Sequence, residues 1–424
     1  MSTTILITML VLFALSVPVA VAIGLASIAG IVGFTDLPLL LVAQQLFVNL
    51  DRYPLAAIPF FILAGNLMEV GGISTRLVEV AKSIVGGIQG GLACTCVLTC
   101  MMFAAVSGSS VATTFAIGAI LIPAMVAHGY PRGFAASLQA SSAELGVVIP
   151  PSIPMILYGV SAEVSIGELF VAGIGPGLLI AGALILFVYL WCKANGVGLN
   201  DREGRMTFPA AVRRSFLALM MPVVVIGGIY GGVFTPTEAS VVAVVYALVV
   251  GMVAYREIRL ADLPRILHKS VVASAIIMFI IANAGLFSWL INRAGIPQDV
   301  GNWLTTAIES PWVFLLAVNG FLFVLGMFVE TSASIIVLAP ILAPVAAHFG
   351  VDPVHFGLIM VVNLALGMIT PPFGVNLFAA CQVARMPFEE IIRPLVPFVL
   401  VVVSCLAIIT YVPVVSLGIR NLLY

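Results

Sequence analysis

Charged residues are scarce in this sequence. They make up 8 % of the 424 residues, whereas hydrophobic residues make up 62 % and the mean hydropathy is +1.23. Soluble domains carry about 25 % charged residues, so this composition indicates an all-α polytopic membrane protein. A separate soluble domain is also lacking, because the longest polar segment is the short stretch 193–214. We therefore expect the lipid bilayer to surround the chain, and we expect no nucleic-acid partner.

Several catalytic motifs are missing as well. Only three lysines occur, and none follows a glycine-rich loop, so there is no Walker A motif to bind ATP. The patterns His-Glu-x-x-His and Gly-x-Ser-x-Gly are absent, and the four histidines fall near the predicted membrane faces. The cysteine cluster at positions 94, 96 and 100 has no histidine nearby, which favours packing residues over a soft-metal site. The sequence therefore argues against an enzyme.

The N-terminal segment superficially resembles a signal peptide, since residues 19–22 read Val-Ala-Val-Ala. It lacks the basic region that precedes a signal sequence, and its apolar run continues to about Val32. We therefore predict an uncleaved first transmembrane helix from about Ile5 to Val32.

Two Pro-Pro pairs interrupt long apolar runs. Pro150 and Pro151 follow Gly146, and Pro371 and Pro372 follow Gly367 at a constant offset of 221 residues. Each proline removes a backbone N–H and clashes with the preceding turn, which predicts broken helices at about 133–160 and 353–381. The break should leave the carbonyls of 145–149 without partners. Because unpaired backbone is costly in hydrocarbon, such breaks indicate a polar cavity or an ion site.

Two further apolar segments each contain a polar stretch that would be costly to expose to lipid. Five hydroxyl residues fall within 107–114, and a second polar stretch covers 329–334. We predict re-entrant helical hairpins at about 90–127 and 312–347. Together with the broken helices they define two repeats, residues 1–215 and 216–424, related by the same offset.

The distribution of basic residues predicts the topology. With the loop 193–214 in the cytoplasm, nine full crossings place 14 of the 17 Lys and Arg residues inside. The N-terminus is then cytoplasmic and the C-terminus periplasmic. The two halves become inverted copies, the arrangement expected for alternating access.

Each hairpin tip should face a helix break and supply oxygen ligands for a small monovalent cation. We favour Na⁺, and the competing interpretation is that the hydroxyls cap the hairpin helices. The predicted Na⁺ ligands are Ser107, Ser109, Ser110, Gly146, Val148 and Ile149 in the first half, and Gly326, Glu330, Thr331, Gly367, Met368 and Thr370 in the second.

Four helix N-termini are expected to point at the membrane centre, where their partial positive charge favours a carboxylate substrate. The predicted substrate residues are Ser107, Thr113, Pro151, Ser332 and Asn376. A helix–helix hydrogen bond is an equal alternative for Asn376.

Two carboxylates are predicted at membrane depth, where an ionisable group indicates function by default. Three roles are open for Glu330: a Na⁺ ligand, a proton carrier, or an acceptor for hairpin N–H groups. For Glu144 the acceptor role is favoured.

These motifs resemble the large membrane subunit of tripartite ATP-independent periplasmic (TRAP) transporters, the DctM-like family. The resemblance covers about residues 5–415 and includes Ser107-Gly-Ser-Ser-Val-Ala-Thr113, Gly146 to Pro154, Gly326-Met-Phe-Val-Glu-Thr331 and Ile369-Thr-Pro-Pro-Phe-Gly-Val-Asn376. It implies an elevator-type transporter, with a scaffold domain and a transport domain, in the bacterial inner membrane. It also implies Na⁺-coupled uptake of an organic acid, such as a C4-dicarboxylate or sialic acid.

The resemblance implies two partners. They are a small four-helix membrane subunit (Q-type) and a periplasmic substrate-binding protein (P-type). Since the sequence starts directly at its first helix, we expect the small subunit to be a separate chain. The main alternative is a stand-alone ion-coupled dicarboxylate carrier without a binding protein. A channel is a further alternative, but it would not need two inverted hairpins.

Overall fold

The computed structural model describes residues 2–15, 17–199, 206–308 and 310–423. Residues 200–205 of the predicted polar loop lie outside these ranges. Every regular element in the described residues is helical. By length and hydropathy, eight of these helices could cross a membrane, and the bent pair Arg132–Val148 and Ile153–Ser161 would be a ninth. The prediction of an all-α polytopic membrane protein is confirmed, whereas the inverted repeats and the elevator motion stay predictions.

The described part of the first half folds into eleven helices, joined by short loops and by a 3-10 turn at Tyr53–Ala56. They are α1 (Ser2–Ala14), α2 (Val19–Phe34), α3 (Leu40–Leu50), α4 (Ala57–Val70), α5 (Ile73–Val85), α6 (Gly91–Ser107), α7 (Ser110–Ala127), α8 (Arg132–Ala143), α9 (Leu145–Val148), α10 (Ile153–Ser161) and α11 (Ile166–Asn195).

The described part of the second half folds into ten helices, with a π-helical turn at Val250–Ala254 and a 3-10 turn at Leu260–Asp262. They are α12 (Phe208–Tyr230), α13 (Pro236–Val249), α14 (Leu263–Arg293), α15 (Ile296–Ala307), α16 (Pro311–Gly326), α17 (Thr331–His348), α18 (Pro353–Met368), α19 (Val375–Ala384), α20 (Glu389–Tyr411) and α21 (Val414–Leu423).

The prediction of a single first helix from Ile5 to Val32 is wrong. The segment forms α1 and α2, because Pro18 lacks an N–H and adopts an extended conformation (ψ 136°) just before α2. A Cβ at Gly30 would lie 2.7 Å from the side chain of Ile5, so the two helices are antiparallel. The segment is therefore a helical hairpin where one crossing was predicted, and the predicted cytoplasmic N-terminus depended on that single crossing.

The same order of elements occurs in both halves, with a helical hairpin followed by an interrupted helix. Hairpin one consists of α6 and α7, and hairpin two consists of α16 and α17. The first interrupted helix comprises α8, α9 and α10, and the second comprises α18 and α19. The halves interlock, since α10 packs against α17 and α19 packs against α7. The end of the first interrupted helix also lies beside the start of the second, where the Tyr158 hydroxyl donates to the Pro353 carbonyl at 2.8 Å.

The 30-residue helix α11 defines two opposite ends of the molecule. Near its C-terminal end, the Gln89 amide donates to the Cys192 carbonyl at 3.1 Å. Near its N-terminal end, Glu168 accepts from Arg420 of α21 at 2.8 Å, and Arg420 also pairs with Asp352 at 2.8 Å. At about 1.5 Å per residue, α11 is roughly 45 Å long, enough to cross a bilayer. The C-terminal helix and residues 196–199, which follow α11, therefore lie at opposite faces.

Arg420 is the centre of this three-residue ion cluster, and its partner Asp352 caps α18. Burial alone would raise the pKa of its carboxyl group. The N–H groups of His355 and Val354 and the Arg420 guanidinium donate to it, and together they hold its pKa below the ordinary value. The cluster thus joins α11, α18 and α21 at one face of the molecule.

Candidate functional site

The tip of hairpin one is a tight turn between α6 and α7. Gly108 adopts a left-handed conformation (φ 62°) that favours glycine. A Cβ there would also lie 2.9 Å from the Pro151 carbonyl oxygen. Ser109 caps α7, its Oγ accepting from the Ala112 N–H at 3.4 Å. Two predicted substrate residues meet at this tip, since the hydroxyls of Ser107 and Thr113 share a hydrogen bond of 3.0 Å.

The first break is at Pro150 and Pro151, as predicted from their missing N–H groups. The helix ends at Val148, Ile149 is extended (ψ 131°), and α10 begins at Ile153, bent by 42° from the preceding segment. Ser152 caps α10 and also donates to the Val147 carbonyl at 2.5 Å. The prediction that all carbonyls of 145–149 lack partners is therefore wrong, because Leu145 also accepts from the Ile149 N–H at 2.9 Å.

Tip one lies directly against this break. A Cβ at Gly146 would stand 2.7 Å from the Ser109 carbonyl oxygen and 2.8 Å from Thr113 Oγ1. The glycine therefore lets oxygen atoms of the hairpin approach the backbone of the interrupted helix. These are hard oxygen donors of the kind that Na⁺ prefers. The structure brings Ser107, Ser109 and Gly146 together, and the residues present fit a small monovalent cation.

Tip two is organised by a carboxylate. Glu330 caps α17, its Oε2 accepting from the N–H groups of Ser332 and Ala333 at 2.9 and 3.2 Å. Its Oε1 accepts from the Ser332 hydroxyl at 2.8 Å. Among the three roles left open for Glu330, the geometry matches the structural acceptor. The N-terminus of α17 and the Ser332 hydroxyl are thus already engaged by a protein carboxylate.

The second break shows the same close approach of backbones. A Cβ at Gly326 would lie 3.2 Å from both Gly367 Cα and the Leu364 carbonyl oxygen. Beyond it, Thr370 donates its N–H to the Gly367 carbonyl at 2.9 Å and its hydroxyl to the Leu366 carbonyl at 2.8 Å. Gly326, Gly367 and Thr370 are therefore close neighbours, as the predicted second cation site requires.

Met368 connects the two tips. The Thr331 hydroxyl donates to its Sδ at 2.9 Å, and the Ser110 hydroxyl lies 4.0 Å from the same sulfur. A thioether is a soft ligand that Na⁺ does not favour, so Met368 would bind a cation through its main-chain carbonyl. The two predicted sites are adjacent parts of one region.

The predicted substrate residues are divided among three places. Ser107, Thr113 and Pro151 lie at tip one, whereas Ser332 is bound to Glu330. The Asn376 amide nitrogen donates to Glu144 Oε1, a contact between the two interrupted helices. This hydrogen bond matches the alternative considered for Asn376. The favoured role of Glu144 as an acceptor for hairpin N–H groups is not what the structure shows.

A polar cavity of about 140 Å³ lies between α3 and α14 on one side and α10 and α17 on the other. Arg52 lines it and donates to the Val160 carbonyl at 3.1 Å, at the end of α10. Within the described residues, Arg52 forms no ion pair within 4 Å, whereas Arg420 at the same face has two carboxylate partners. Arg52 is thus outside any ion pair of the described residues at the end of α10, in a cavity that the acidic Glu163 also lines.

Two contacts in and beside this region were not predicted from the sequence, those of Ser152 and Arg52. Ser152 supports the first break, and a serine before an apolar helical run is a recognised N-cap signal. The contact of Arg52 with Val160 joins residues 108 positions apart. No local pattern indicates such a contact.

Comparisons with known proteins identify the family of this chain. Residues 6–415 match the family described as the tripartite ATP-independent periplasmic transporter, DctM component. The C4-dicarboxylate TRAP transporter large permease protein DctM of Pseudomonas aeruginosa is 44 % identical over 400 residues, covering 94 % of each chain. The isethionate TRAP transporter permease protein DctMQ of Oleidesulfovibrio alaskensis is 42 % identical over 402 residues, covering 95 % of this chain and 63 % of that one.

A solved structure shares the fold. The YdaH transporter of Alcanivorax borkumensis matches with a TM-score of 0.65 at 15 % identity, covering 88 % of each chain. At this identity the likeness concerns the fold alone, and it relates the fold to that of a membrane transporter. The family itself is assigned from the family model and from the relatives described above. The chain therefore belongs to the DctM component family of the tripartite ATP-independent periplasmic transporters.

Proposed function

We propose that this permease subunit performs Na⁺-coupled uptake of a C4-dicarboxylate or a related organic acid across the bacterial inner membrane. The observation that carries the proposal is the meeting of two oxygen-rich hairpin tips with two helix breaks around Met368. Relatives named for C4-dicarboxylate and isethionate transport support an anionic substrate. Na⁺, when bound, would supply positive charge in a region without lysine or arginine.

The substrate is best accommodated at tip one. There the N-termini of α7 and α10 are capped by serine side chains, Ser109 and Ser152, which carry no charge. At tip two the N-terminus of α17 already binds the Glu330 carboxylate, which would repel a second anion. A carboxylate would therefore be held by Ser107, Thr113 and the backbone near Pro151, with partial positive charge from the two helix termini.

Arg52 supports an entry route for anions from the face that carries Arg420. Its guanidinium is exposed at the polar cavity between α3, α14 and the interlocked hairpins. A fixed positive charge at the mouth of a cleft raises the local concentration of anionic substrates. In this role Arg52 attracts the acid, and the helix termini at tip one bind it.

The proposed topology follows the charge distribution, with one revision. The loop after α11 is cytoplasmic and the C-terminal helix is periplasmic. In α2, Gly24 faces Asn283 and Gly30 faces Leu290, so α2 runs parallel to α14. Because α14 leads from the cytoplasmic to the periplasmic side, the antiparallel helix α1 would place the N-terminus in the periplasm.

The proposed partners are a small four-helix membrane subunit and a periplasmic binding protein that delivers the acid. The relative named DctMQ, to which this chain aligns over 63 % of its length, is consistent with a second membrane component. Movement of both hairpins and both interrupted helices past a scaffold that includes α4 and α14 would expose the site to each side in turn.

The test is uptake into proteoliposomes under an inward Na⁺ gradient, with and without the cognate binding protein. We expect uptake of C4-dicarboxylates or isethionate only when Na⁺, the binding protein and the small subunit are all present. Uptake by this chain alone would instead support the stand-alone carrier. Uptake that is independent of a Na⁺ gradient would refute Na⁺ coupling.

A further inference from the structure

A group of buried oxygen atoms lies between the two interrupted helices, and its carboxylate, Glu144, is two residues before Gly146. Ser141 and Glu144 are three residues apart and therefore lie on one face of the first interrupted helix. Asn376 belongs to the first turn of α19, which packs against α8. The three side chains are almost completely buried, with exposed fractions of 0 %, 2 % and 0 % for Ser141, Glu144 and Asn376.

The hydrogen bonds of this group are incomplete. The Asn376 amide nitrogen donates to Glu144 Oε1, which fixes the two groups side by side. Within the described residues, Glu144 Oε2, Asn376 Oδ1 and Ser141 Oγ have no hydrogen-bond partner. A carboxylate oxygen and an amide oxygen only accept hydrogen bonds, so they cannot satisfy each other. Rotating the amide would bring its oxygen to the carboxylate and make the arrangement worse.

If Glu144 is ionised, its charge also lacks a compensating partner. No lysine or arginine side chain of the described residues lies within 4 Å of Glu144. The N-terminus of α19 contributes roughly half an elementary charge, which offsets only part of a full negative charge. An ionised carboxylate at this depth is expensive unless a positive group is present. The pattern of unpaired acceptors around one negative charge is that of an incomplete coordination shell.

We propose that Ser141, Glu144 and Asn376 form a third cation site, distinct from those at the hairpin tips, that takes a hard monovalent cation such as Na⁺. This inference rests on the proposed Na⁺ coupling. One carboxylate balances one positive charge, whereas a divalent ion would leave a net charge buried. The ligands come from both interrupted helices, so the site is complete only when the two halves are docked. Cation binding there would favour the docked arrangement.

The experiment measures equilibrium ²²Na⁺ binding to the purified membrane complex. Glu144→Gln keeps the shape and the Asn376 contact but removes the charge, and it should lower the number of bound Na⁺ ions by one. Ser141→Ala removes one ligand from the same helix face and should raise the Kd of one Na⁺ by about tenfold, the effect of losing one interaction of hydrogen-bond strength. Ser142→Ala is the matched control, because this buried neighbour is turned by about 100° from Ser141 around the helix and faces Cys96 of α6.

The outcomes separate this inference from the proposed function. Loss of one ion in Glu144→Gln, with Ser142→Ala unchanged, supports the third site. Unchanged stoichiometry and affinity in both Glu144→Gln and Ser141→Ala would overturn it, as expected if Glu144 were a neutral acid that donates to Asn376. Absence of Na⁺ binding in the wild-type complex would refute Na⁺ coupling itself. Should Glu144→Gln fail to fold, the Na⁺ affinity of Ser141→Ala decides between the two outcomes.

Discussion

Replacing Gly367 with alanine tests whether hairpin two needs backbone contact with the second interrupted helix. The added Cβ would lie 2.5 Å from Gly326 Cα, whereas non-bonded carbon atoms normally stay about 3.5–4.0 Å apart. At least 1 Å of movement is required, and the opposing atoms belong to the main chain. The hairpin must therefore move away from α18.

The magnitude follows from two opposing effects. Alanine is favoured over glycine in a helix by about 1 kcal/mol, whereas overpacking typically costs about 1–3 kcal/mol. The net change expected for Gly367→Ala is a loss of up to about 2 kcal/mol of unfolding free energy. Gly320→Ala is the matched control in α16, because no atom of the described residues outside the adjacent turns of its own helix lies within 4 Å of its added Cβ. It should be neutral or stabilising by up to about 1 kcal/mol.

The assay is reversible denaturation of both variants in detergent, combined with Na⁺-driven uptake. Gly367→Ala should unfold at lower denaturant concentration than Gly320→Ala and should lose uptake. If the two variants were equally stable and equally active, the close contact between Gly326 and Gly367 would have no structural role, and the reasoning would be refuted.

Three further predictions concern other parts of the molecule. Glu330→Ala should lower the free energy of unfolding by about 1 kcal/mol because α17 loses its cap. Glu330→Gln should retain uptake. Loss of uptake in a stable glutamine variant would indicate a direct ionic role. Arg420→Gln removes the ion pairs of Arg420 and should lower the free energy of unfolding by about 1 kcal/mol at neutral pH. Since the pKa of Asp352 is lowered, the stabilisation is fully present above the ordinary pKa near 4 and should be lost as the pH falls through the lower pKa of the folded state; a stability difference between variant and wild type that stayed constant as the pH fell below the ordinary pKa would contradict this. Cysteines introduced at Gly196 and Gly418 should react with impermeant reagents from opposite sides, because the described native cysteines are all buried; labelling from one side would refute the topology.

Local features of the chain determine how much the sequence could predict. The positions of the helix breaks follow from Pro150 and Pro371 and their neighbours, since a missing N–H acts on the adjacent turn wherever the chain lies. The hairpin tips follow from hydroxyl clusters that would be costly against lipid. Pro18 carried the same signal for the N-terminal hairpin, but the long apolar run around it was interpreted as one helix.

Contacts between distant segments were beyond the reach of sequence patterns. Glu144 and Asn376 are 232 residues apart, and no periodicity indicates that a carboxylate and an amide would meet between the two halves. The capping role of Glu330 depends on the turn that directs its side chain back to the N-terminus of α17. A carboxylate at membrane depth indicates an important residue from the sequence alone, whereas the hydrogen-bond partners of Glu144 and Glu330 could be found only from the fold.

The most direct test of the central claim is the Na⁺ dependence of uptake in variants of both hairpin–break sites. Ser110→Ala at tip one and Thr370→Ala at break two should each lower the apparent Na⁺ affinity. Ser404→Ala, which removes an exposed hydroxyl that donates to the carbonyl four residues earlier, should not. A rightward shift of the Na⁺ titration in the first two variants alone is the predicted result. Titrations identical to wild type in both would contradict the assignment of the hairpin tips and helix breaks as cation sites.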